Sequence, residues 1–443
     1  MNPVSASNPF AREPNRWWQL VFGLIAMMAI SSPQYVWALF TKPLTASLGA
    51  PLAEVQVAFS LLIVLQTFLA PFQGYLIDKF GPRLLMSAGA ALTGLSWVLS
   101  AEVHSLWGIY FAYGVLGGIG TGIIYVGVVG LMVQWFPDKR GLAAGLVAAG
   151  YGFGAILTTF PIANSLTSTG LSHTLMVYGV IIGVVGLLAA QGMHRPRRDQ
   201  IARVTASEEA EHPGREVRRS YSPKVMLKTP IFWLMFAMMT MMSTSGLMVI
   251  SEMGAFARDF GMTEVSVFGM AALPLALTID RFTNGLTRPV FGWISDRIGR
   301  ESTMFIAFGL EVLAMNIWLL LRGDAVIFVL MSGVVFFGWG EIFSLFPSTL
   351  TDTFGTKHAT TNYGFLYMAQ GVGSILGCPV AALLHHSAHS WMPVFIAIIS
   401  MNFLTAILAL VVLKPIRKKW ITQSKMMTAD EPATSVVIGA VVQ

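Results

Sequence analysis

Long apolar runs separated by short polar breaks dominate this chain. A helix crosses the hydrocarbon core of a bilayer with about 20 apolar residues, and runs of that length recur along the whole sequence. They form two groups of six, at residues 17–40, 55–76, 84–101, 106–134, 141–163 and 172–193, and then at 231–255, 268–294, 302–321, 325–350, 360–384 and 390–413. The pattern predicts an all-α membrane protein with twelve transmembrane helices arranged as two six-helix bundles.

Composition supports a multi-pass membrane protein. Hydrophobic residues make up 55% of the 443 positions and charged residues 11%, which is less than half of the roughly 25% charged residues in soluble domains. The single cysteine, Cys378, excludes disulfides and cysteine metal clusters. His385, His386 and His389 have ligand-like spacing, but they fall at the predicted outer end of the eleventh span, where a surface loop is favoured over a metal site. We therefore predict no cofactor and no metal.

Lysine and arginine lie almost entirely on one side of the predicted bilayer. When the loops are assigned to alternate sides, 23 of the 28 basic residues fall on one side and only Lys42, Arg258 and Arg322 on the other. Basic loops remain in the cytoplasm, so both termini are predicted to be cytoplasmic. The net charge of +6 is the excess that such a topology carries at the inner leaflet, and it implies no nucleic acid.

A polar segment divides the two groups of spans. Residues 194–229 are rich in charge and lack apolar periodicity, so they are predicted to form a cytoplasmic linker. The predicted organisation is a cytoplasmic tail at 1–16, a six-helix bundle at 17–193, the linker, a second bundle at 230–414 and a cytoplasmic tail at 415–443. The chain is expected to be disordered after Trp420.

Two further basic residues, Arg281 and Arg288, lie inside the eighth predicted span. A guanidinium near the bilayer centre costs roughly 2.5–3.5 kcal/mol on insertion scales, so it is retained mainly where it faces a cavity or a partner. Seven residues are nearly two helical turns, which places both arginines on one helix face about 10 Å apart. Two inward-facing cations at this depth predict a pathway for an anion.

The two bundles contain related motifs. The segment GYLIDKFGPR recurs 218 residues later as GWISDRIGR. Its members are Gly74, Asp78, Lys79, Gly81 and Arg83 in the first copy, and Gly292, Asp296, Arg297, Gly299 and Arg300 in the second. A glycine set recurs at an offset of 219, from Gly145, Gly152 and Gly154 to Gly364, Gly371 and Gly373. Two pairs at nearly one offset predict pseudo-symmetric halves with a substrate pathway between them.

Each part of the first motif has a physical reason. Its first glycine allows close helix contact, its second lets the chain reverse, and its aspartate can accept hydrogen bonds from backbone amides or a nearby arginine. We predict that the two copies form a cytoplasmic latch between helices. A tight positive turn between short-looped helices explains one copy, but it explains two copies at one offset poorly.

These motifs and the six-plus-six layout resemble the major facilitator superfamily over residues 17–413. Five stretches are similar to the oxalate–formate antiporter family: PQYVWALF, WFPDKRGLAAGLVAAGYGFG, NGLTRPVFGWISDRIGR, FFGWGEIFSLFPS and NYGFLYMAQG. The resemblance implies the superfamily fold and a secondary transporter of small carboxylates, which exposes one central site alternately to each side of the membrane.

The resemblance also implies substrate-binding residues. The family's anion-binding arginine in the eighth helix falls on Arg288. Its aromatic and polar cage falls on five residues, namely Gln34, Tyr35, Tyr125, Tyr151 and Trp339. A small carboxylate requires a bidentate cation, hydroxyl or amide donors, and rings that exclude water, so the residue types suit this role.

Two positions differ from the family pattern. The intramembrane lysine expected in the eleventh helix is Gln370 here, and the aromatic hydroxyl expected four residues after Trp339 is replaced by Phe343. A dicarboxylate held by Arg288 alone would leave one buried carboxylate without a charge partner, at a cost of several kcal/mol. The sequence therefore favours a monocarboxylate, or a dicarboxylate that Arg281 helps to bind.

Arg281 has a second interpretation, as an ion-pair partner of Asp280, Glu252, Glu311 or Glu341. Asp280 is the least suitable partner because adjacent residues on a helix do not face each other, and Glu341 is the best candidate. If Glu341 neutralises Arg281, one net positive charge remains, which suits a monoanion. If Glu341 instead titrates, transport is coupled to protons.

A transporter, a channel and a membrane enzyme are the competing function classes. The sequence has no nucleotide-binding loop, HExxH, GxSxG or paired intramembrane aspartates for catalysis, and no repeated charged ring for a channel. We predict a secondary active transporter of small mono- or dicarboxylates, either an exchanger similar to oxalate–formate antiporters or a proton-coupled monocarboxylate symporter. Its expected partners are a small carboxylate and the lipid bilayer, and it is expected to be a monomer in a bacterial inner membrane.

Overall fold

A computed structural model describes residues 15–197, 200, 204, 220–262 and 264–429. The described part of the N-terminal half is helical. Its helices are α1 (Arg16–Ala29), α2 (Ser32–Tyr35), α3 (Trp37–Leu48), α4 (Leu52–Phe68), α5 (Ala70–Phe80), α6 (Pro82–Ser100), α7 (Leu106–Ile109), α8 (Gly117–Trp135), α9 (Arg140–Thr169) and α10 (Leu171–Gln191). A π-helical segment at Tyr110–Leu116 joins α7 to α8. Residues 1–14 of the predicted amino-terminal tail lie outside the described residues.

The C-terminal half is also mainly helical. Its helices are α11 (Pro223–Met226), α12 (Pro230–Asp259), α13 (Ala272–Ile298), α14 (Arg300–Leu320), α15 (Ala325–Trp339), α16 (Ile342–Phe354), α17 (Ala359–Ala388), α18 (Met392–Leu408) and α19 (Lys414–Ala429). Two short strands, β1 (Ser266–Val267) and β2 (Met270–Ala271), form an antiparallel hairpin before α13. Most of the predicted linker and residues 430–443 of the predicted tail lie outside the described residues.

Each of the twelve predicted spans overlaps one to three consecutive helices. Within the described residues, seven helices are long and apolar enough to cross a membrane, and up to nine if each bent pair counts as one span. Twelve crossings and cytoplasmic termini therefore remain predictions. The eighth span begins later than predicted because the β1–β2 hairpin occupies its first residues, and α13 starts at Ala272.

The expected disorder after Trp420 was wrong as far as residue 429. The helix α19 continues to Ala429 because its first turns are anchored to neighbouring segments. The Trp420 indole nitrogen donates to the carbonyl oxygen of Thr353 at 3.1 Å, and its ring lies 5.0 Å from that of Tyr221. One turn later, Ser424 contacts the Tyr221 hydroxyl at 2.8 Å.

Local sequence signals set several helix ends. The side chains of Asn15, Thr229 and Asp324 accept hydrogen bonds from the first backbone amides of α1, α12 and α15, as helix-capping residues do. Gly81 and Gly299 have φ values of 101° and 93°. These conformations suit glycine, and they let α5 and α13 reverse directly into α6 and α14.

Glycines bring the two halves together at the end that carries the basic loops. The helix α9 packs on α13, where a Cβ atom at Gly145 would overlap the carbonyl oxygen of Arg288. The helix α17 packs on α5, where a Cβ atom at Gly364 would overlap the carbonyl oxygen of Ala70. Because Gly145 and Gly364 are related by the offset of 219, the repeat produces two equivalent contacts between the halves.

The same helix faces are uncovered toward the opposite end. On α13, the face that carries Gly285 and Arg288 continues at helical spacing as Arg281 and Thr278, and both of these residues are exposed. The facing side of α9 continues as Ile156, which is 38% exposed. We infer that the halves close at the basic end and leave a crevice that opens at the other end.

Candidate substrate-binding site

Arg288 lies where the closed part of the interface meets the crevice. Its side chain is almost fully buried, with 2% exposure. One terminal nitrogen donates to the carbonyl oxygen of Ala148 on α9 at 2.6 Å, and the other to the amide oxygen of Asn284 at 2.8 Å. The Nε atom is buried and has no hydrogen-bond partner. Among the described residues, no carboxylate forms an ion pair with this guanidinium.

An aromatic pair from the C-terminal half lies beside Arg288. The guanidinium carbon is 4.6 Å from the ring centre of Phe343, within the range of a cation–π contact. The ring of Trp339 lies 5.9 Å from Phe343, and its indole nitrogen donates to the carbonyl oxygen of Met242 at 2.7 Å. These rings exclude water from one side of the cation.

A tyrosine cluster from the N-terminal half lies across the interface. The hydroxyl of Tyr151 donates to the side-chain oxygen of Gln34 at 2.6 Å. The ring of Tyr151 lies 5.4 Å from Tyr35 and 5.2 Å from Tyr125, and Tyr125 lies 6.5 Å from Phe343. The structure thus brings the five predicted cage residues into two groups that meet beside Arg288.

Three neighbours of the site were not predicted from the sequence. Gln66 is buried and its amide nitrogen donates to the hydroxyls of Tyr151 at 3.5 Å and Tyr367 at 3.3 Å. Tyr367 stacks on Tyr125 with ring centres 4.7 Å apart, and Asn284 holds Arg288. Gln66 is a lone amide within an apolar run, and Asn284 lies four residues before Arg288 on the same helix face; both are signals that the sequence contains.

Arg281 does not form the ion pair with Glu341 that its second interpretation favoured. Its side chain is exposed on the crevice side of α13, and within the described residues it has neither a hydrogen bond nor an ion pair. Glu341 has no exposed surface and lies at the break between α15 and α16. This pairing does not form because the segment at Glu341 packs at the level of Asn284 and Thr287, whereas Arg281 lies farther along α13 and is exposed.

Two other predicted residues have buried polar atoms without partners. Both carboxylate oxygens of Asp280 lack a hydrogen bond, and the same holds for the side-chain oxygen of Gln370. Gln370 lies one helical turn beyond Tyr367 on α17 and is half-buried. Neither residue donates to or accepts from Arg288 in the described structure.

The two copies of the repeated motif lie at the closed, basic end. The carboxylate of Asp78 accepts from the backbone nitrogen of Thr361 at 2.9 Å and from its hydroxyl at 2.5 Å. The carboxylate of Asp296 accepts from the backbone nitrogens of Gly141 at 3.0 Å and Leu142 at 2.9 Å. Each aspartate therefore holds the first turn of a helix from the opposite half.

The remaining motif residues differ in their contacts. A Cβ atom at Gly74 would overlap the backbone of Thr360, and one at Gly292 would overlap that of Gly141. The basic residues Lys79 and Arg297 lie over aromatic rings of their own helices, with Arg297 3.8 Å from the ring centre of Trp293.

The last basic residue of each copy has a different partner. Arg83 donates to the side chain of Gln191 at 2.9 Å. Arg300 donates to Asp296 at 2.6 Å and to Asp352 at 2.8 Å. Only the second copy therefore joins its arginine to buried carboxylates.

Comparison with known proteins identifies the family. The model of the Major Facilitator Superfamily matches residues 19–280 and 242–439, so the two matches together span nearly the whole chain. The chain belongs to the major facilitator superfamily. It is accordingly a multi-pass membrane transporter and not an enzyme.

The chain is similar in sequence to several transporters of this superfamily. The chain is 34% identical to the oxalate:formate antiporter of Oxalobacter formigenes, over 91% of this chain and 94% of that protein. It is 27% identical to the uncharacterized transporter YhjX of Escherichia coli strain K12, over 83% and 88% of the two chains. It is 22% identical to monocarboxylate transporter 13 of Bos taurus, over 82% and 79%.

A solved structure supports the superfamily fold. The proton:xylose symporter XylE, bound to 6-bromo-6-deoxy-D-glucose, has a TM-score of 0.70 with this chain. The match covers 90% of this chain and 96% of the symporter at 14% sequence identity. This likeness concerns the fold, which is built from two related bundles around a central pathway.

Proposed function

We propose that this member of the major facilitator superfamily is a secondary active transporter of small carboxylates, that it works by alternating access in a bacterial inner membrane, and that Arg288 is its anion site. The unpaired, buried guanidinium of Arg288 is the observation that carries the proposal. The names of the oxalate:formate antiporter and the monocarboxylate transporter support the same substrate class.

A buried guanidinium is costly without a negative partner. The two hydrogen bonds of Arg288 go to a carbonyl and an amide oxygen, which carry no net charge. Its Nε atom remains available as a donor. A carboxylate bound here would supply the missing charge and a charge-assisted hydrogen bond.

The surroundings favour a small monocarboxylate. Phe343 occupies the face of the guanidinium and offers no hydroxyl, and Gln370 provides an amide where a second cation would be needed. Arg281 is about 10 Å from Arg288 along the helix, which is too far for both to hold one small carboxylate group. A second carboxylate on the substrate would therefore lack a nearby charge partner.

Alternating access follows from the contacts at the two ends. The crevice is open away from the basic loops, whereas the repeated motifs close the basic end through Asp78 and Asp296. We propose that the two motifs act as a latch, which releases as the outer crevice closes. Arg288 would then face the opposite side of the membrane.

Counterflow in proteoliposomes tests this proposal. Vesicles that contain the purified protein are loaded with unlabelled acetate, lactate, pyruvate, glyoxylate, oxalate or malonate, and the entry of labelled pyruvate or labelled oxalate is followed. We expect saturable uptake that depends on the internal carboxylate and is abolished in Arg288→Gln. Unchanged uptake in this variant would reject the site.

Arg322→Gln is the matched control for that variant, because Arg322 is exposed in a loop at the opposite end from the basic residues and donates only to a backbone carbonyl. It should transport at the wild-type rate. Gln370→Lys tests the substrate preference, since it restores a second cation and should raise oxalate uptake relative to pyruvate. An unchanged ratio would contradict the account of specificity.

A further inference from the structure

Two glutamates in the C-terminal half are fully buried and have no hydrogen-bond partner. Glu311 on α14 and Glu341 between α15 and α16 both have 0% exposure. All four of their carboxylate oxygens are without a partner. Buried charged groups are normally paired and hydrogen-bonded, so these two carboxyls require an explanation.

The two glutamates belong to one cluster. A Cβ atom at Gly338 would lie 2.8 Å from the Cβ of Glu311, and Gly338 precedes Glu341 by three residues. Asn402 on α18 lies beside Glu311. Its amide is also fully buried, and neither its oxygen nor its nitrogen has a hydrogen-bond partner. A third buried polar side chain thus lies in the cluster, beside Glu311.

Glu341 also lies next to the anion site. The chain leaves α15 at Trp339 and resumes as α16 at Ile342, so Glu341 is at a break in the helix. A Cβ atom at Gly340 would overlap Thr287, the residue before Arg288. The hydroxyl of Thr287 donates its hydrogen bond to the carbonyl of Phe337. It therefore cannot donate a hydrogen bond to the carboxyl group of Glu341.

Few charged side chains lie close enough to the carboxyl group of Glu341 to affect its protonation. Those within electrostatic reach are Glu311 on α14 and Arg288 on α13. The other titratable groups at this level are tyrosines on α8, α9 and α17, namely Tyr125, Tyr151, Tyr363 and Tyr367. Asp280 lies about two turns from Arg288 toward the open end of the crevice, and the nearest ion-paired group of the basic end, Asp296, lies about two turns away in the other direction.

Simple electrostatics restricts the protonation of this cluster. An ionised carboxylate in an apolar environment costs several kcal/mol unless it is paired, and two neighbouring carboxyls do not both ionise there. At least one of the two glutamates is therefore a neutral acid in this arrangement. Among the described residues, Arg288 is the one cation within reach that could stabilise an ionised Glu341.

We propose that Glu341 is a proton-binding site that couples the transport of the carboxylate to the transport of a proton. This inference rests on the proposed function, since it assigns Arg288 to the anion. Glu311 is proposed to remain protonated and to donate a hydrogen bond to Glu341 when Glu341 is ionised.

The transport cycle balances charge and protons. While the anion is bound, its carboxylate neutralises Arg288 and Glu341 carries its proton. When the anion leaves on the far side, the O–H bond of Glu341 breaks, the proton goes to the water on that side, and the new carboxylate neutralises Arg288. The empty carrier then returns without a net buried charge, so one monoanion and one proton cross together.

A pH gradient across proteoliposomes tests the proposal with labelled pyruvate, labelled oxalate and a luminal pH dye. The vesicles contain no carboxylate, and the buffer contains choline in place of sodium. For the wild type, an acidic exterior should drive pyruvate accumulation, and pyruvate entry should acidify the lumen. Glu341→Gln should lose both signals, Glu341→Asp should restore them, and Glu54→Gln, which changes an exposed glutamate, should retain them.

The possible results separate the two proposals. Wild-type exchange without any effect of the pH gradient, or gradient-driven accumulation that persists in Glu341→Gln, would overturn proton coupling alone. Accumulation that requires sodium would overturn it as well. Absence of both exchange and gradient-driven uptake for pyruvate and oxalate would instead overturn the proposed function. If Glu341→Gln does not fold, the wild-type luminal signal and the Glu311→Gln variant, expected to weaken coupling, decide the question.

Discussion

The two contacts that close the basic end are built on the same repeat, yet among the described residues only one of them contains buried ion pairs. In both, a motif aspartate accepts hydrogen bonds from the first turn of a helix in the other half: Asp78 from Thr361, and Asp296 from Gly141 and Leu142. Leu142 and Thr361 are related by the offset of 219, so the hydrogen bonds follow the pseudo-symmetry of the halves.

Charges are added on one side only. Asp352 binds Arg140 of the N-terminal half at 2.6 Å and Arg300 at 2.8 Å, and Arg417 is 3.7 Å away. The first half has Val133 at the position that the offset of 219 relates to Asp352, and its motif arginine, Arg83, donates to Gln191 rather than to a carboxylate.

The difference separates what the repeat requires from what one half adds. Both contacts contain an aspartate that accepts hydrogen bonds from backbone amides, and both contain glycines that let helices of the two halves pack closely. These shared features close the basic end on both sides. The network around Asp352 strengthens one contact, so the two sides should differ in how readily they separate. The contact at Asp78 should open first.

The largest expected effect comes from removing the centre of the charged network. Asp352→Asn removes the buried negative charge that Arg140, Arg300 and Arg417 share, and breaking a buried pair in this way costs about 3–5 kcal/mol. We expect a lower unfolding temperature and an opened basic end. Spin labels at Lys139 and Lys357, which are exposed on opposite halves, in a Cys378→Ser background would measure the separation; an unchanged distance distribution would show that the network does not hold the halves.

An effect of intermediate size is expected from overpacking either of the two glycine contacts between the halves, and it should be similar for both. Gly145→Ala and Gly364→Ala each place a methyl group against a backbone carbonyl of the other half, and overpacking of this kind costs about 1–3 kcal/mol. Because the contacts are equivalent, the two variants should shift the same label distances by similar amounts. A strong effect from only one of the two substitutions would contradict the claim that the contacts at Gly145 and Gly364 are equivalent.

The smallest effect should come from weakening the contact at Asp78, which has no ion pair. Thr361→Val removes the hydroxyl donor to Asp78 and leaves the backbone amide bond, at a cost of about 0.5–1.5 kcal/mol. We expect a small fall in the unfolding temperature and little change in transport. A loss as large as that of Asp352→Asn would show that the contact without ion pairs is the stronger one.

Sequence reasoning succeeded where helical periodicity alone sets the geometry. The apolar runs marked the helices, and the glycines at one offset marked the faces that meet between the halves. It failed where the result depends on the rotation of one helix against another. The Arg281–Glu341 pair is absent because the segment at Glu341 packs against α13 farther along the helix than Arg281, and the partners of Asp352 come from three separate helices.

The same limit applies at the candidate site. Arg288 stands out in the sequence because a cation within a transmembrane span is rare. It can be recognised without knowing which residues lie near it in the fold. Gln66 and Tyr367 reach the tyrosine cluster only through the packing of α4 and α17 against the helices that carry Tyr125 and Tyr151. A single sequence records such proximity weakly, because it depends on contacts between distant segments.

A structure determined by experiment with saturating pyruvate tests the central claim most directly. We predict density for the carboxylate within about 3 Å of the Arg288 guanidinium, the distance of a charge-assisted hydrogen bond, with the tyrosines of the N-terminal half around it. Pyruvate bound elsewhere in the crevice, with Arg288 still bonded only to Ala148 and Asn284, would contradict the assignment of this cation as the anion site.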